Sequence, residues 1–517
     1  MNKQFANGII AGMGGLFFAC TAENVEKAPN IVFILADDMG YGDVSALNEN
    51  SGIQTPNIDK MAQHGVVFTD AHSSSAVSTP TRYGILTGRY NWRSTMKRGV
   101  LGGYSLPLIA KERRTIASIL KDQNYETACI GKWHLGWIWD NIEAGNEQVD
   151  FSKPITHGPL DVGFDYSYCI PASLDMPPYV YVENNLSTTV PDRITENTGA
   201  QSWWRKGPTG ADFDHNTTLS HLVGKAVNFI ERKANKEKPF FLSLPLPAPH
   251  TPILPSDNFL GKSGLNPYGD FVMEVDYMVG LINDALKKNG IDQNTIVVFT
   301  SDNGCSPEAA FDELQAKGHF PSYIFRGHKA DLFEGGHHVP CIVQWPAKIK
   351  SHKVNQTICL TDFLATFASV AGYELNDYEG EDSFCLLSLL ENETEKEIIR
   401  EATVHHSING EFTIRKGDWK LLLSPSSGGW SFPRPNRDTV AINELPKIQL
   451  YNLKNDPTEA QNVYANNMDV AQEMTNLMIH YIKNGRSTPG LPQSNDGPED
   501  WGSQLIELWL TYLDSPH

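Results

Sequence analysis

Ile31-Val32-Phe33-Ile34-Leu35 is an unbroken apolar run rich in β-branched residues, and after Ala36 it stops at two adjacent carboxylates, Asp37-Asp38. A strand without polar alternation must be covered on both faces, which puts it in the middle of a sheet flanked by helices. Similar runs recur at Phe240 to Leu246, Thr295 to Thr300 and Val339 to Trp345, with amphipathic stretches between some of them. This alternation predicts a doubly wound α/β fold: a large mixed, mostly parallel sheet sandwiched by helices. The clearest helix is Asp270 to Lys288, where Val275, Met278, Val279, Ile282 and Leu286 share one face, lysines close the last turn and Gly290 follows. Beyond about residue 390 the pattern changes. Phe412 to Arg415 and Trp419 to Leu423 flank a Lys416-Gly417-Asp418 turn, and a helix is predicted from Asp469 to Tyr481. We expect a principal domain over 28–390 and a smaller α+β subdomain with an antiparallel sheet over 391–517; the 517-residue length suits that division.

The net charge of −19 works against broad electrostatic binding to nucleic acid or to anionic lipid, so an anionic ligand needs a locally basic pocket. No nucleic-acid partner is expected. The seven cysteines include no Cys-x-x-Cys pair, which argues against a thiolate zinc site and a dense disulfide scaffold. Between Gly8 and Cys20 no residue is charged, Lys3 precedes the stretch, and Glu23 is the first acid. Residues 1–22 therefore read as an export signal, too short to span a bilayer comfortably. Leu16-Phe17-Phe18-Ala19-Cys20 resembles a bacterial lipoprotein cleavage box, with ordinary cleavage near Ala22 as the alternative. The expected location is periplasmic or outer-membrane-attached, with the membrane reached only through lipid on Cys20.

In open α/β sheets ligands gather at the carboxyl ends of strands. Three polar clusters sit there: Asp37-Asp38, His250 after Pro247-Ala248-Pro249, and Asp302-Asn303-Gly304. Asp and Asn also serve as ordinary caps and turn formers. Taken together, though, three carboxylates and a carboxamide form the all-oxygen set that Ca²⁺ or Mg²⁺ prefers, and adjacent carboxylates need a compensating cation. Arg82, Lys132, His134, His250 and Lys329 lie in Gly- or Pro-rich segments and would make an anion hole if they converged.

Ser78-Thr79-Pro80-Thr81-Arg82 followed by Leu86-Thr87-Gly88-Arg89 closely resembles the signature of the type I sulfatases of the alkaline phosphatase superfamily, with Thr81 in place of the commoner Ser. The likeness continues through Asp37 to Asp43, Gly131 to Gly136, Pro249-His250-Thr251-Pro252, Ser301 to Gly304 and Gly327-His328-Lys329, in the family's order, over residues 30 to about 460. His338, in Glu334-Gly335-Gly336-His337-His338, stands where the family commonly has Arg.

The resemblance implies a sulfuric ester hydrolase whose 28–390 region is catalytic. Ser78 would be oxidised to formylglycine by a serine-type, anaerobic maturase. The hydrated aldehyde is a geminal diol, which can expel sulfate by collapsing back to the aldehyde, whereas a plain serine would keep a stable sulfate ester. The resemblance makes Asp37, Asp38, Asp302 and Asn303, with residue 78, the ligands of one Ca²⁺. Arg82 would hold the diol, Lys132 and Lys329 would bind sulfate oxygens, His134 would remove a diol proton, and His250, alone or with Lys329, would protonate the departing sugar oxygen. The run Ile170 to Tyr179 resembles bacterial carbohydrate sulfatases, including those similar to N-acetylgalactosamine-6-sulfatase, so a sulfated saccharide of galactose or N-acetylgalactosamine type is the expected substrate. Ser173, Asp175, His405 and Trp430 are the candidates for substrate contact. The competing readings are a phosphatase or phosphonate hydrolase of the same superfamily, and a non-catalytic glycan-binding lipoprotein with unmodified Ser78.

Overall fold

The Asn30–Asp37 strand is sealed on both faces, and its alternate side chains feed two separate cores. Ile31, Phe33 and Leu35 pack with Tyr83, Phe363 and Phe367 on one side. Val32, Ile34 and Ala36 pack with Leu222, Val275, Val279 and Ile282 on the other. The period-2 geometry of a strand thus explains how one apolar run can hold two helical layers. The structure is a computed structural model describing residues 27–391 and 397–497. The expected export signal, Cys20 and residues 498–517 of the C-terminal subdomain lie outside them.

The main sheet has ten strands. From edge to edge they are His352–Val354, Val66–Phe68, Cys341–Gln344, Thr295–Ser301, Asn30–Asp37, Phe240–Pro249, Glu126–Lys132, Tyr166–Ile170, Val182–Glu183 and Leu186–Ser187. The block from Thr295–Ser301 to Tyr166–Ile170 is parallel throughout. Cys341–Gln344 pairs antiparallel with Thr295–Ser301. The chain between those two strands returns along the sheet without a crossover to the opposite end, and such a return must reverse strand direction.

The Pro267–Lys288 helix starts three residues before the Asp270 expected from periodicity. Asn266 caps it by accepting a hydrogen bond from the Gly269 N–H, and Pro267 occupies the first turn, where its missing N–H costs nothing. At the C-terminal end, Thr403–His406, Phe412–Lys416, Trp419–Leu422 and Gln449–Asn452 form an antiparallel four-stranded sheet. Met474, Met478 and Tyr481 of the Met468–Asn484 helix pack on this sheet, and the same core includes Tyr90 and Trp92, which follow the Ser78 segment. The smaller sheet therefore shares a core with the larger unit. Its hairpin was legible in the sequence. Its outer strands, four residues each, were not, because so short a run carries too little periodicity.

Candidate active site

Register brings the polar strand ends level. Ala36 lies opposite Ser301, so Asp37-Asp38 and Asp302-Asn303 leave neighbouring strands side by side. On the other flank the pairing jumps from Leu35 opposite Pro245 to Asp37 opposite Pro249. This bulge takes up two extra residues of the Phe240–Pro249 strand and sets His250 beside the carboxylates, a re-aiming that bulges commonly provide next to active sites. Lys132 ends the next strand along, and Ser173 and Asp175 follow the one after it.

Ser78 is the first residue of the buried Ser78–Thr87 helix, where unpaired N–H groups and the helix dipole favour negative charge. Its hydroxyl lies 3.3 Å from Asp37 Oδ1, 3.5 Å from Asn303 Oδ1 and 3.5 Å from Lys132 Nζ. Lys132 Nζ is 2.7 Å from Asp37 Oδ2. Arg82 projects from the same helix and bridges two carboxylates, at 2.7 Å from Asp302 Oδ2 and 3.3 Å from Asp37 Oδ1. Its remaining nitrogen donates to the Lys132 carbonyl at 3.2 Å. Across the site, Lys329 Nζ is 2.7 Å from Asp38 Oδ1, the Asn303 amide donates to the same oxygen at 2.7 Å, and His250 Nε2 is 3.7 Å from Asp38 Oδ2.

Burial would raise the Asp37 carboxyl, but Lys132, His250 and Arg82 overcome it and hold the group at about 2. Burial opposes the charge of Arg82 too, and Asp302 and Asp37 more than compensate. For Lys132, burial and the neighbouring cations win over Asp37, and its pKa falls. His134 is driven well below the ordinary imidazole range by burial, then by Lys132 and Arg82. Its Nε2 lies 2.6 Å from the Leu101 carbonyl, an acceptor only, so Nε2 carries the proton. Nδ1 is buried without a partner, which leaves a bare lone pair on a neutral ring. Asp38 and His134 both take left-handed backbone conformations, φ 66° and 56°, a costly geometry that turns their side chains off the direction of the preceding strand.

All the residues expected to act on the ester or the metal therefore meet in one pocket: Ser78, Arg82, Lys132, His134, His250, Lys329, Asp37, Asp38, Asp302 and Asn303. Most are sealed; the side chains of His250 and Lys329, 11% and 8% exposed, form the mouth. Asp175 faces His250 there, with 3.9 Å between Oδ1 and Nδ1, and the buried Ser173 hydroxyl lies beside its carboxylate. Trp430 is 39% exposed and its backbone N–H donates to Asp331, two residues beyond Lys329. His405 is a correction. It is fully buried, bonded to the Ser73 carbonyl and the Thr403 hydroxyl and stacked on His337, so no sugar can reach it. Its place on a strand of the smaller sheet turned it inward, which sequence could not show. Two contributors went unread. Thr79 accepts from Leu101 N–H and donates to the His134 carbonyl, and its signal was its place inside the Ser78 motif. Arg205 pairs with Asp175 from the Pro191–Asn197/Trp204–Gly210 hairpin, where no motif marks it.

Asp37, Asp38 and His250 are spaced to share a metal ion, and Asp302 and Asn303 adjoin them. The oxygens of Asp37 and Asn303 converge on Ser78 at separations too long to be saturated by its hydroxyl. An all-oxygen set of this kind fits a hard divalent cation. Among the described residues two further clusters have ligand-like spacing. In one, His337 and His405 are parallel, 4.1 Å apart, so their in-plane lone pairs cannot meet at one ion. In the other, the Arg415 guanidinium already supplies the cation between Asp70 and Glu334.

The sequence profile of the sulfatase family matches residues 29–373. An N-acetylgalactosamine-6-O-sulfatase of Bacteroides thetaiotaomicron is 34% identical over 505 residues, covering 88% of this chain and 93% of the relative. The N-acetylgalactosamine-6-sulfatase of Rattus norvegicus is 28% identical, covering 92% of this chain and 89% of its own. A solved Bacteroides thetaiotaomicron structure, described under the metabolism of multiple glycosaminoglycans, superposes with a TM-score of 0.77 at 33% identity, covering 87% of this chain and 98% of that one.

Proposed function

Because the chain belongs to the sulfatase family, whose members hydrolyse sulfuric esters, we propose that it removes sulfate from sulfated saccharides of the N-acetylgalactosamine 6-sulfate type. The observation that carries this reading is the convergence on one hydroxyl, at a helix N-terminus, of a carboxylate, a carboxamide and an ammonium, with a guanidinium bridging Asp37 and Asp302 and a second ammonium paired with Asp38. The relatives named above support the sugar class.

Formylglycine at position 78, made by a dedicated maturase, would provide a hydrated aldehyde whose hydroxyl attacks sulfur. A Ca²⁺ ion held by Asp37, Asp38, Asp302 and Asn303 would supply Lewis-acid polarisation of a sulfate oxygen. The chain's own groups do the rest. Lys132 and Lys329 flank the position of the sulfate and offset its charge in a sealed, low-dielectric site. Arg82 fixes Asp302 and Asp37 and so fixes the geometry around residue 78. His134 is neutral with a bare Nδ1, suited to take the proton that residue 78 must lose for sulfate to leave. His250, at the mouth, donates to the departing sugar oxygen. In the same reading residues 1–22 direct export, with either lipid on Cys20 or ordinary cleavage near Ala22.

Mass spectrometry of the peptide containing residue 78, combined with sulfate-release assays, tests the proposal. A loss of two hydrogens at Ser78, release of sulfate from N-acetylgalactosamine 6-sulfate, its abolition in Ser78→Ala and its suppression by a calcium chelator are expected. Sulfate release that persists in Ser78→Ala would refute the assigned nucleophile.

A further inference from the structure

The mouth holds a buried charge with half of its hydrogen-bonding capacity unspent. The Asp175 side chain is 4% exposed. Its Oδ2 is paired with Arg205 Nη1, whereas Oδ1 accepts no hydrogen bond of normal geometry. His250 cannot satisfy Oδ1, because its Nδ1 is committed to the Thr251 carbonyl at 2.5 Å. The Ser173 hydroxyl sits beside the carboxylate, close enough that, against burial, it helps His250 and Arg205 hold the pKa below the usual range, without a bond of full strength. Buried polar atoms are paired in native proteins, and an unpaired carboxylate oxygen carries a full desolvation penalty. An oxygen with spare acceptor capacity at the entrance to an ester-cleaving site is suited to a donor that arrives with the ligand.

Arg205 determines where that oxygen points. Nη1 reaches both the Asp175 carboxylate and its backbone carbonyl, and the Arg205 backbone N–H donates to the same carbonyl at 3.2 Å. Tyr179 closes the set, its hydroxyl lying 3.2 Å from the Asp175 carbonyl and 2.6 Å from that of Arg205. On the outer side the guanidinium sits 5.1 Å from the Trp203 ring centroid, and Trp203 Nε1 donates to Glu308 at 3.2 Å. A half-exposed arginine near the start of the hairpin's second strand is thereby held against an aromatic face and cannot swing away from Asp175 cheaply.

We propose that Arg205 is a positioning residue for sugar selection: it fixes Asp175 so that Oδ1 accepts a hydroxyl of the sugar that bears the sulfate. The inference rests on the saccharide reading given above. It assigns recognition of the sugar ring to the Asp175–Arg205 pair and recognition of the sulfate group to the cations beneath it.

The test is steady-state kinetics on N-acetylgalactosamine 6-sulfate with inorganic sulfate as competitive inhibitor. It compares wild type, Arg205→Ala, Arg205→Lys and Asp175→Asn at equal aldehyde content at position 78. Loss of one hydrogen bond to a charged group should raise KM about tenfold or more in Arg205→Ala and Asp175→Asn. The inhibition constant of sulfate, which probes only the cationic pocket, should stay within about twofold, and Arg205→Lys should recover part of the loss. An unchanged KM, or a KM and a sulfate constant that rise together, overturns the proposal. If Arg205→Ala does not fold, Arg205→Lys and Asp175→Asn decide by the same criteria. A wild type that cleaves an aryl sulfate but no sulfated saccharide overturns the saccharide reading and this inference with it.

Discussion

Lys132 carries two obligations at once, being fully buried and the near partner of an equally buried Asp37. Removing one member of a sealed ion pair leaves an uncompensated charge, which costs far more than the pair itself contributes. In chelator-treated protein, Lys132→Met should therefore lower stability by about 3–5 kcal/mol, measured by urea denaturation; in protein supplied with calcium it should abolish turnover. A variant as stable as the wild type would mean that Asp37 is satisfied by Arg82 alone. His134 illustrates the opposite device. Its ring is kept neutral by burial and by adjacent cations, and the bond from Nε2 to the Leu101 carbonyl fixes which nitrogen is free. Ser78, Arg82 and the paired aspartates could be named from the sequence because their motifs are contiguous. Asp175 could be named but not its partner, since Arg205 lies thirty residues on in a hairpin without a signature.

Strands and helices set these side chains in place through backbone contacts that tolerate no substituent. Gly131 precedes Lys132 at φ 138°, and a Cβ there would stand 1.9 Å from the Pro245 carbonyl oxygen in the neighbouring strand. Gly131→Ala should cost about 3 kcal/mol and displace Lys132, seen as a lower unfolding midpoint together with lower kcat. Gly304 plays a similar part after Asn303: its α-carbon approaches the Gly335 carbonyl so closely that a Cβ would lie 1.8 Å from it. This lets the Glu334-Gly335-Gly336 turn and the adjoining Lys329 loop close over the carboxylates. A different outcome is expected at the N-terminal cap of the Pro267–Lys288 helix, where the link to the site runs through the Tyr268 hydroxyl, 3.2 Å from the Asp38 carbonyl, and not through Asn266 itself. Asn266→Ala removes the cap on Gly269 N–H and should cost about 1 kcal/mol while kcat and KM hold. A change in kcat there would show that the cap itself is coupled to the site.

Across the whole molecule, the two sheets are welded by a buried polar seam. Arg415 and Lys420 of the smaller sheet reach Asp70 and Glu334 of the larger unit, and Lys420 also binds Glu459. Where the family commonly has Arg, His338 accepts a shorter reach and binds Glu334 at 2.9 Å; the guanidinium beside that glutamate comes from Arg415. Within the seam, burial holds His72 at about 4 and keeps His337 and His405 well below the ordinary imidazole range. The sign of the consequence is fixed. A folded-state pKa below the unfolded value leaves stability intact above about pH 6.5. Stability is then lost as pH falls toward the folded value, because the unfolded chain binds protons that the fold refuses. At pH 5 the loss reaches about 2 kcal/mol for each histidine that stays neutral. Scanning calorimetry should show Tm falling from pH 7.5 to pH 5, with a shallower fall in His405→Gln; a flat profile would contradict the buried, neutral seam.

The layered α/β fold, the strand ends that bear chemistry and the identity of the catalytic motifs were all determined locally, because hydrophobic period and short motifs are properties of neighbouring residues. Distance along the chain hid the remainder. The bulge that levels His250 with Asp37, the hairpin that delivers Arg205 and the inward turn of His405 depend on register and packing between segments up to several hundred residues apart. Such pairings are decided by which surfaces bury one another best, and that choice is made only when the whole chain has collapsed.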